Sequence, residues 1–300
     1  MRFTGPHHIT MITGDAQENV RFYAELLGLR LVKKTVNFDA PEAYHLYFGD
    51  EQGSPGSILT WFEFAGARRG RPGLGMIHTI QLGVASEASL DFWADRLPGS
   101  RRAERSLRFE DPDGLGLELV VATNPPLRAD HPEIPAEHAI GGIEGARAYA
   151  EYADVEEKVL TDLLGFTYTG GGEYALEGTE RSFLWAYDAA PPMSGVQGAG
   201  TVHHIAWATP DAEQGAWQQR IRDAGAYVTD VKDRDYFLSV YFREPRGVLF
   251  EIATLSPGFA VDEDPDHLGE SLRLPAQHEH LRSQLEATLR PVENPRTVVA

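Results

Sequence analysis

One pattern recurs four times along this 300-residue chain: a strand, an amphipathic helix, then further strands. The first copy reads HHITMITGD, AQENVRFYAELLGLRLV, YHLYFGD and SPGSILTWFEF, and the second MIHTIQLGV, SEASLDFWADRL and DPDGLGLELVV. GARAYAEYA, DVEEKVLTDLLGFTYTG, GGEYALEG and RSFLWAYDA form the third. The fourth is TVHHIAWATPD, AEQGAWQQRIRDAGAYVTD, YFLSVYFRE and PRGVLFEIAT. Approximate spans are 5–65, 75–124, 143–190 and 200–256. In the first helix Val20, Tyr23, Ala24 and Leu27 fall at i, i+3, i+4 and i+7, an apolar face that Gly28 ends. Gly28 and Gly165 each close an LLG helix end. The turns at 111–118 (DPDGLGLE) and 244–251 (EPRGVLFE) match position for position, with Pro and Gly where a tight hairpin needs them.

A four-stranded sheet with one helix cannot cover both its faces, so such units must pair. The expected fold is therefore α+β, four βαβββ modules pairing into two cup-shaped sheets. Residues 1–124 hold the N-terminal pair of modules and 143–256 the C-terminal pair. A Pro- and Gly-rich linker, 125–142, separates them. The tail, 257–300, should form a short surface-packed helix, because Leu281, Leu285 and Leu289 fall at i, i+4 and i+8.

Composition removes several function classes. Twenty-seven basic residues against 45 acidic ones give a net charge of -18, which opposes nucleic-acid binding. The absence of Cys excludes disulfides, thiolate nucleophiles and Cys-ligated metal centres. No apolar run approaches the ~20 residues that span a bilayer, and MRFTGPHHITM has no apolar signal-peptide core. A cytoplasmic protein without membrane contact is expected.

Strand alternation points to the residues lining each cup. First strands offer His8, His78, Gly145 and His204; last strands offer Thr60, Glu118 and Glu251, with no clear carboxylate in the third module. Thr10 shares the face of His8. Two His and one carboxylate form the ligand set of non-haem Fe(II) oxygenases. If modules 1 and 4 pair, the set is His8, His204 and Glu251; if modules 1 and 2 pair, it is His8, His78 and Glu118. The doubled HHI, at His7-His8 and His203-His204, occurs only in modules 1 and 4, which favours the first set. In a hairpin centred on Pro245-Arg246-Gly247, Tyr241 lies opposite Glu251, and Arg234 precedes it. Glu118, His78 and His45 read as hydrogen-bonded structural residues, with His78 a reserve ligand. His131, His138, His267, His278 and His280 read as solvated.

HHITMITGDAQENVRFYAELLGLRLVKKTVNFD, YHLYFGDEQGSPGSILT, HHIAWATPD, RDYFLSVYFREPRGVLFEIAT and the tail DEDPDHLGESLRLP resemble ring-cleaving dioxygenases of the vicinal oxygen chelate superfamily. They are most similar to those opening hydroquinones, such as the 2,6-dichlorohydroquinone 1,2-dioxygenases. The resemblance runs from the N-terminus to about residue 290 and is weaker in the middle modules. It implies an Fe(II) cofactor, with Mn(II) suiting the same ligands, on His8, His204 and Glu251. It also implies a small aromatic substrate and O₂ as partners. Catalytic roles are implied for His203, Arg234 and Tyr241, and substrate contacts for His7 and Thr10. A homo-oligomer is left open. Two other readings compete: a metal-dependent lyase or isomerase of the glyoxalase type, which usually presents two carboxylates, and a binding protein of the bleomycin-resistance type.

Overall fold

The computed structural model describes residues 1–297. The first module comprises β1 (Gly5–Thr13), α1 (Ala16–Val20), β2 (Arg30–Val36), β3 (Tyr44–Gly49) and β4 (Ile58–Glu63). Asp15 caps α1 by accepting from the Glu18 amide, and the helix widens to a π turn over Arg21–Leu26. All four residues of the expected apolar face are buried. Gly28 ends the helix at φ +73°, where a Cβ would also meet Ile134 at 2.5 Å, so this stop is both conformational and steric.

The second module contains β5 (Ile77–Val84), α2 (Glu87–Arg96), β6 (Arg101–Arg102), β7 (Ser106–Glu110) and β8 (Gly116–Val121). The third contains β9 (Ile143–Ala150), a π turn at Val159–Leu163, β10 (Thr167–Gly170), β11 (Glu173–Glu177) and β12 (Ser182–Ala189). The fourth contains β13 (Val202–Thr209), α3 (Gln214–Asp223), β14 (Lys232–Asp233), β15 (Leu238–Arg243) and β16 (Leu249–Thr254). All four modules thus have the expected order of elements.

The strands form two eight-stranded sheets, β14-β15-β16-β13-β1-β4-β3-β2 and β10-β11-β12-β9-β5-β8-β7-β6. Module 1 therefore pairs with module 4, and module 2 with module 3. Each half of the sequence contributes one module to each sheet. Within each module the first and last strands run parallel, and the first strands of paired modules run antiparallel across the sheet centre.

Alternation sorts the side chains. Ile9, Met11, Ile205, Trp207, Phe250 and Ile252 enter a continuous core shared by all four modules, while the residues between them face away from it. The β1–β13 ladder is interrupted at two places: the register skips His7 between Pro6 and His8, and His203 opposite the Thr10–Met11 step. Each extra residue is a bulge that breaks strict alternation. These bulges explain the doubled histidines, since each brings two consecutive imidazoles together.

The tail folds back onto the first module. Buried Lys33 donates to Asp262 at 2.6 Å and to Glu263. Gly269, at φ +73°, lies where a Cβ would be 2.0 Å from the Leu31 carbonyl oxygen. These contacts account for the DEDPDHLGE segment. The expected helix is present as α4 (Arg282–Thr288), with Leu285 buried against Val36 and Leu274, and Leu281 and Leu289 packed beside them. No helix among the described residues is long and apolar enough to cross a membrane.

Candidate metal centre

At the seam between β1 and β13, His8, His204 and Glu251 converge with ligand atoms all within 4.8 Å of one another. All three are buried. The Nε2 atoms of His8 and His204 lie 3.2 Å apart, and Glu251 Oε2 is 3.4 Å from the first and 2.9 Å from the second. The other carboxylate oxygen, Oε1, accepts from Ser239. Thr10 Oγ1 is 2.9 Å from His204 Nε2.

The donor set fits a divalent cation. A single imidazole nitrogen has one proton or one lone pair to offer, yet His204 Nε2 faces a hydroxyl, a carboxylate and a second imidazole at once. Glu251 Oε2 is buried with no N–H or O–H directed at it. One ion bound to both Nε2 atoms and Oε2 would satisfy all of these groups. Burial alone would raise the Glu251 pKa, but the two imidazoles outweigh it and hold the carboxylate well below its usual range. Burial lowers His204, which keeps it in the neutral, ligating form.

The bulged histidines stand behind the ligands. His7 Nδ1 is 2.9 Å from His8 Nδ1, and His203 Nδ1 is 2.7 Å from His204 Nδ1. With Nε2 of each ligand turned to the centre, its Nδ1–H has the preceding histidine as acceptor, which fixes the ring's tautomer and orientation. Burial, reinforced by His8, brings the pKa of His7 down to about 3, so it is neutral and able to accept.

In front of the centre is a cavity of about 300 Å³. His8, Thr10, His203, His204, Arg234 and Tyr241 line it. His7 does not; its ring packs on Phe237, with its Nδ1 facing that of His8. Tyr241 is the register partner of Glu251, as the hairpin predicts. Arg234 Nε donates to the Tyr241 hydroxyl at 3.3 Å, and its guanidinium lies over Phe38, 5.5 Å from the ring centre.

Several wall residues escape sequence reasoning. Phe38, Asp39 and Ala40 come from the segment after β2, and Phe62, Phe64 and Phe237 supply aromatic faces. Of these, Phe62 shares the alternating face of Thr60 and was legible by register. His45, read as structural, also lines the cavity; it bridges Thr60 Oγ1 at 2.5 Å and the Tyr47 hydroxyl at 2.9 Å. His278 is not solvated: with Gln277 it contacts the Phe38 carbonyl oxygen, at 2.8 and 2.9 Å, and so ties the tail to the cavity wall. His138 stacks on Phe92, and His131 is likewise half-buried.

The competing half-site does not assemble. His78 occupies the β5 bulge, so it corresponds to the bulged His7 and His203, and Thr79 takes the place of the histidine that follows each of them. Its Nε2 is 2.9 Å from Asp188, and its ring stacks on Tyr149. Glu118 does match Glu251 in register, but Gln81 and Arg108 occupy its oxygens. The sequence alignment of His78 with His8 was thus one residue out, because the bulge adds one.

Two segments, residues 5–119 and 152–252, match the Glyoxalase/Bleomycin resistance protein/Dioxygenase superfamily. The chain belongs to this superfamily. Full-length similarity extends to superfamily members named for ring cleavage. MhqO of Bacillus subtilis (strain 168), named as a ring-cleaving dioxygenase, is 43% identical over 96% of both chains. The chlorohydroquinone/hydroquinone 1,2-dioxygenase of Sphingobium indicum is 33% identical, again over 96% of each. A crystal structure of a Bacillus subtilis protein described as a dioxygenase superposes with a TM-score of 0.91 at 41% identity, covering 98% of both chains. Glyoxalase I from Zea mays shares the superfamily fold, with a TM-score of 0.55 at 14% identity over 85% of this chain and 92% of its own.

Proposed function

We propose that the protein is an Fe(II)-dependent dioxygenase that opens a hydroquinone-type or related dihydroxylated aromatic ring. The observation carrying this reading is the convergence of His8, His204 and Glu251, the two histidines lining a small cavity walled by Phe38, Phe62, Phe64 and Phe237. A cavity of about 300 Å³ is at the small end of ligand pockets, a size suited to one ring. Full-length relatives named for ring cleavage, one of them for hydroquinones, support the same reaction class. A lyase of the glyoxalase type is less well served, since Glu251 is the only carboxylate in the converging set.

His8, His204 and Glu251 would hold the metal on one side, leaving positions through which it could gather O₂ and one substrate oxygen and acidify the bound phenol. The surrounding residues then divide the remaining work. The phenylalanines enclose the ring and exclude water. Burial pushes the Tyr241 phenol well above its ordinary pKa, so it stays protonated. Because Arg234 donates to the Tyr241 oxygen, the phenol's own proton is free to be donated into the cavity. His203, accepting from His204 at Nδ1, keeps its proton on Nε2, where it can give or take one at the cavity wall. Arg234 brings positive charge to the cavity wall beside Tyr241, where a second hydroxyl or a developing oxyanion can be held. Thr10 completes the polar floor.

Oxygen consumption after anaerobic Fe(II) loading, measured over a panel of hydroquinones and catechols, tests the proposal. Uptake should match substrate consumed one for one, with hydroquinones preferred. A loaded enzyme that consumes no oxygen with either class would overturn it.

A further inference from the structure

The second cup keeps the framework of the first and changes its chemistry. By register, with Glu118 in the place of Glu251, Gly145 stands where His8 does, and Arg108, opposite Glu118, stands where Tyr241 does. Arg108 Nε donates to Glu118 Oε1 at 2.8 Å, and Gln81 Nε2 donates to Oε2 at 2.8 Å. An internal guanidinium thus satisfies the carboxylate that corresponds to the metal-ligating one.

Beside Arg108 opens a cavity of about 540 Å³, which Thr79 and Arg101 also line. Arg101 is the direct cross-strand partner of Arg108. Two like charges placed opposite each other destabilise a sheet unless something lies between them. Among the described residues Arg101 has no hydrogen bond or ion pair, whereas its neighbour Arg102 is held by Asp91 at 3.0 Å. The surroundings set the charge of what could bind. Arg69 neutralises Glu110 at the cavity edge, and Arg108 neutralises Glu118, which leaves Arg101 as a surplus of one positive charge. Pro98 lines the cavity rim.

We propose that this second cup is a metal-free site for a small monocarboxylate, clasped by Arg101 and Arg108. Guanidinium groups match a planar carboxylate, and a single surplus charge favours it over doubly charged phosphate. The site is independent of the ring-cleavage reading, and its test needs neither metal nor turnover.

Isothermal titration of the metal-free full-length protein with sodium benzoate, and separately with sodium phosphate at matched ionic strength, examines this directly. The wild type should bind benzoate saturably and more tightly than phosphate. Arg101→Ala should weaken benzoate at least tenfold, and His204→Ala, altered only in the metal cup, should leave it unchanged. Absent benzoate binding, tighter phosphate binding, an unaffected Arg101→Ala or a loss in His204→Ala would each overturn the proposal.

Discussion

The two cups of this protein share a backbone plan and differ in a handful of side chains. In both, the central ladder carries paired bulges, a carboxylate stands on the last strand of a module, and a partner residue faces it from the neighbouring strand. In the first cup these places hold His8, His204, Glu251 and Tyr241; in the second they hold Gly145, Thr79, Glu118 and Arg108. Glu251 is left with an oxygen that no donor reaches, whereas both oxygens of Glu118 are hydrogen-bonded. The scaffold supplies convergence, while the chemistry depends on whether the buried carboxylate is already satisfied.

Removing one equivalent residue from each cup separates their roles. His204→Ala should lower the rate of oxygen uptake about a thousandfold or more, because it takes away a metal ligand. Thr79→Ala should leave the rate within about twofold. Comparable losses in the two variants would erase the distinction drawn between the cups.

The hairpin turns beneath the cups offer a second comparison. Glu244 and Asp111 occupy matching turn positions; each is buried, caps its turn through backbone amides and accepts from a tyrosine of another module, Tyr187 and Tyr23 respectively. Burial pushes the Glu244 carboxyl up to about 7 and Asp111 up to about 6. A carboxyl raised on folding stabilises the fold when protonated, and that contribution is lost as pH climbs through the folded value. Stability should therefore decline by about 3 kcal/mol between roughly pH 4.5 and 7 on account of Glu244. Urea midpoints measured across this range should show a flatter slope in Glu244→Gln, and a smaller change at lower pH in Asp111→Asn. An unchanged slope in Glu244→Gln would count against the buried-acid account.

Smaller effects separate Tyr241 from Arg108. Tyr241→Phe should keep the metal and lose about a hundredfold in kcat, since only the hydroxyl is removed. Arg108→Ala should leave kcat nearly unchanged yet lower stability by about 2 kcal/mol, because Glu118 loses a charged donor while remaining buried. Metal analysis, turnover and thermal unfolding on the same samples distinguish these outcomes.

Much of this architecture is legible in the sequence. The four modules, the helix stop at Gly28 and the opposition of Tyr241 to Glu251 all follow from short periodicities and turn residues, which act over a few positions. His78 shows where such counting fails. A bulge inserts one residue without any local composition signal, so His78 aligns with His8 by eye and with His7 in space. The cavity wall was hidden for another reason. Gln277 and His278 reach the Phe38 carbonyl oxygen from 239 and 240 residues away, and no periodicity encodes a contact of that range.

A metal count on the reconstituted protein decides whether the chain holds a single metal centre. After anaerobic loading with Fe(II) and removal of free ion, the wild type should hold one metal per chain, Glu118→Ala should hold one, and Glu251→Ala should hold none. Two ions per wild-type chain, or an undiminished ion in Glu251→Ala, would contradict a single centre built by His8, His204 and Glu251.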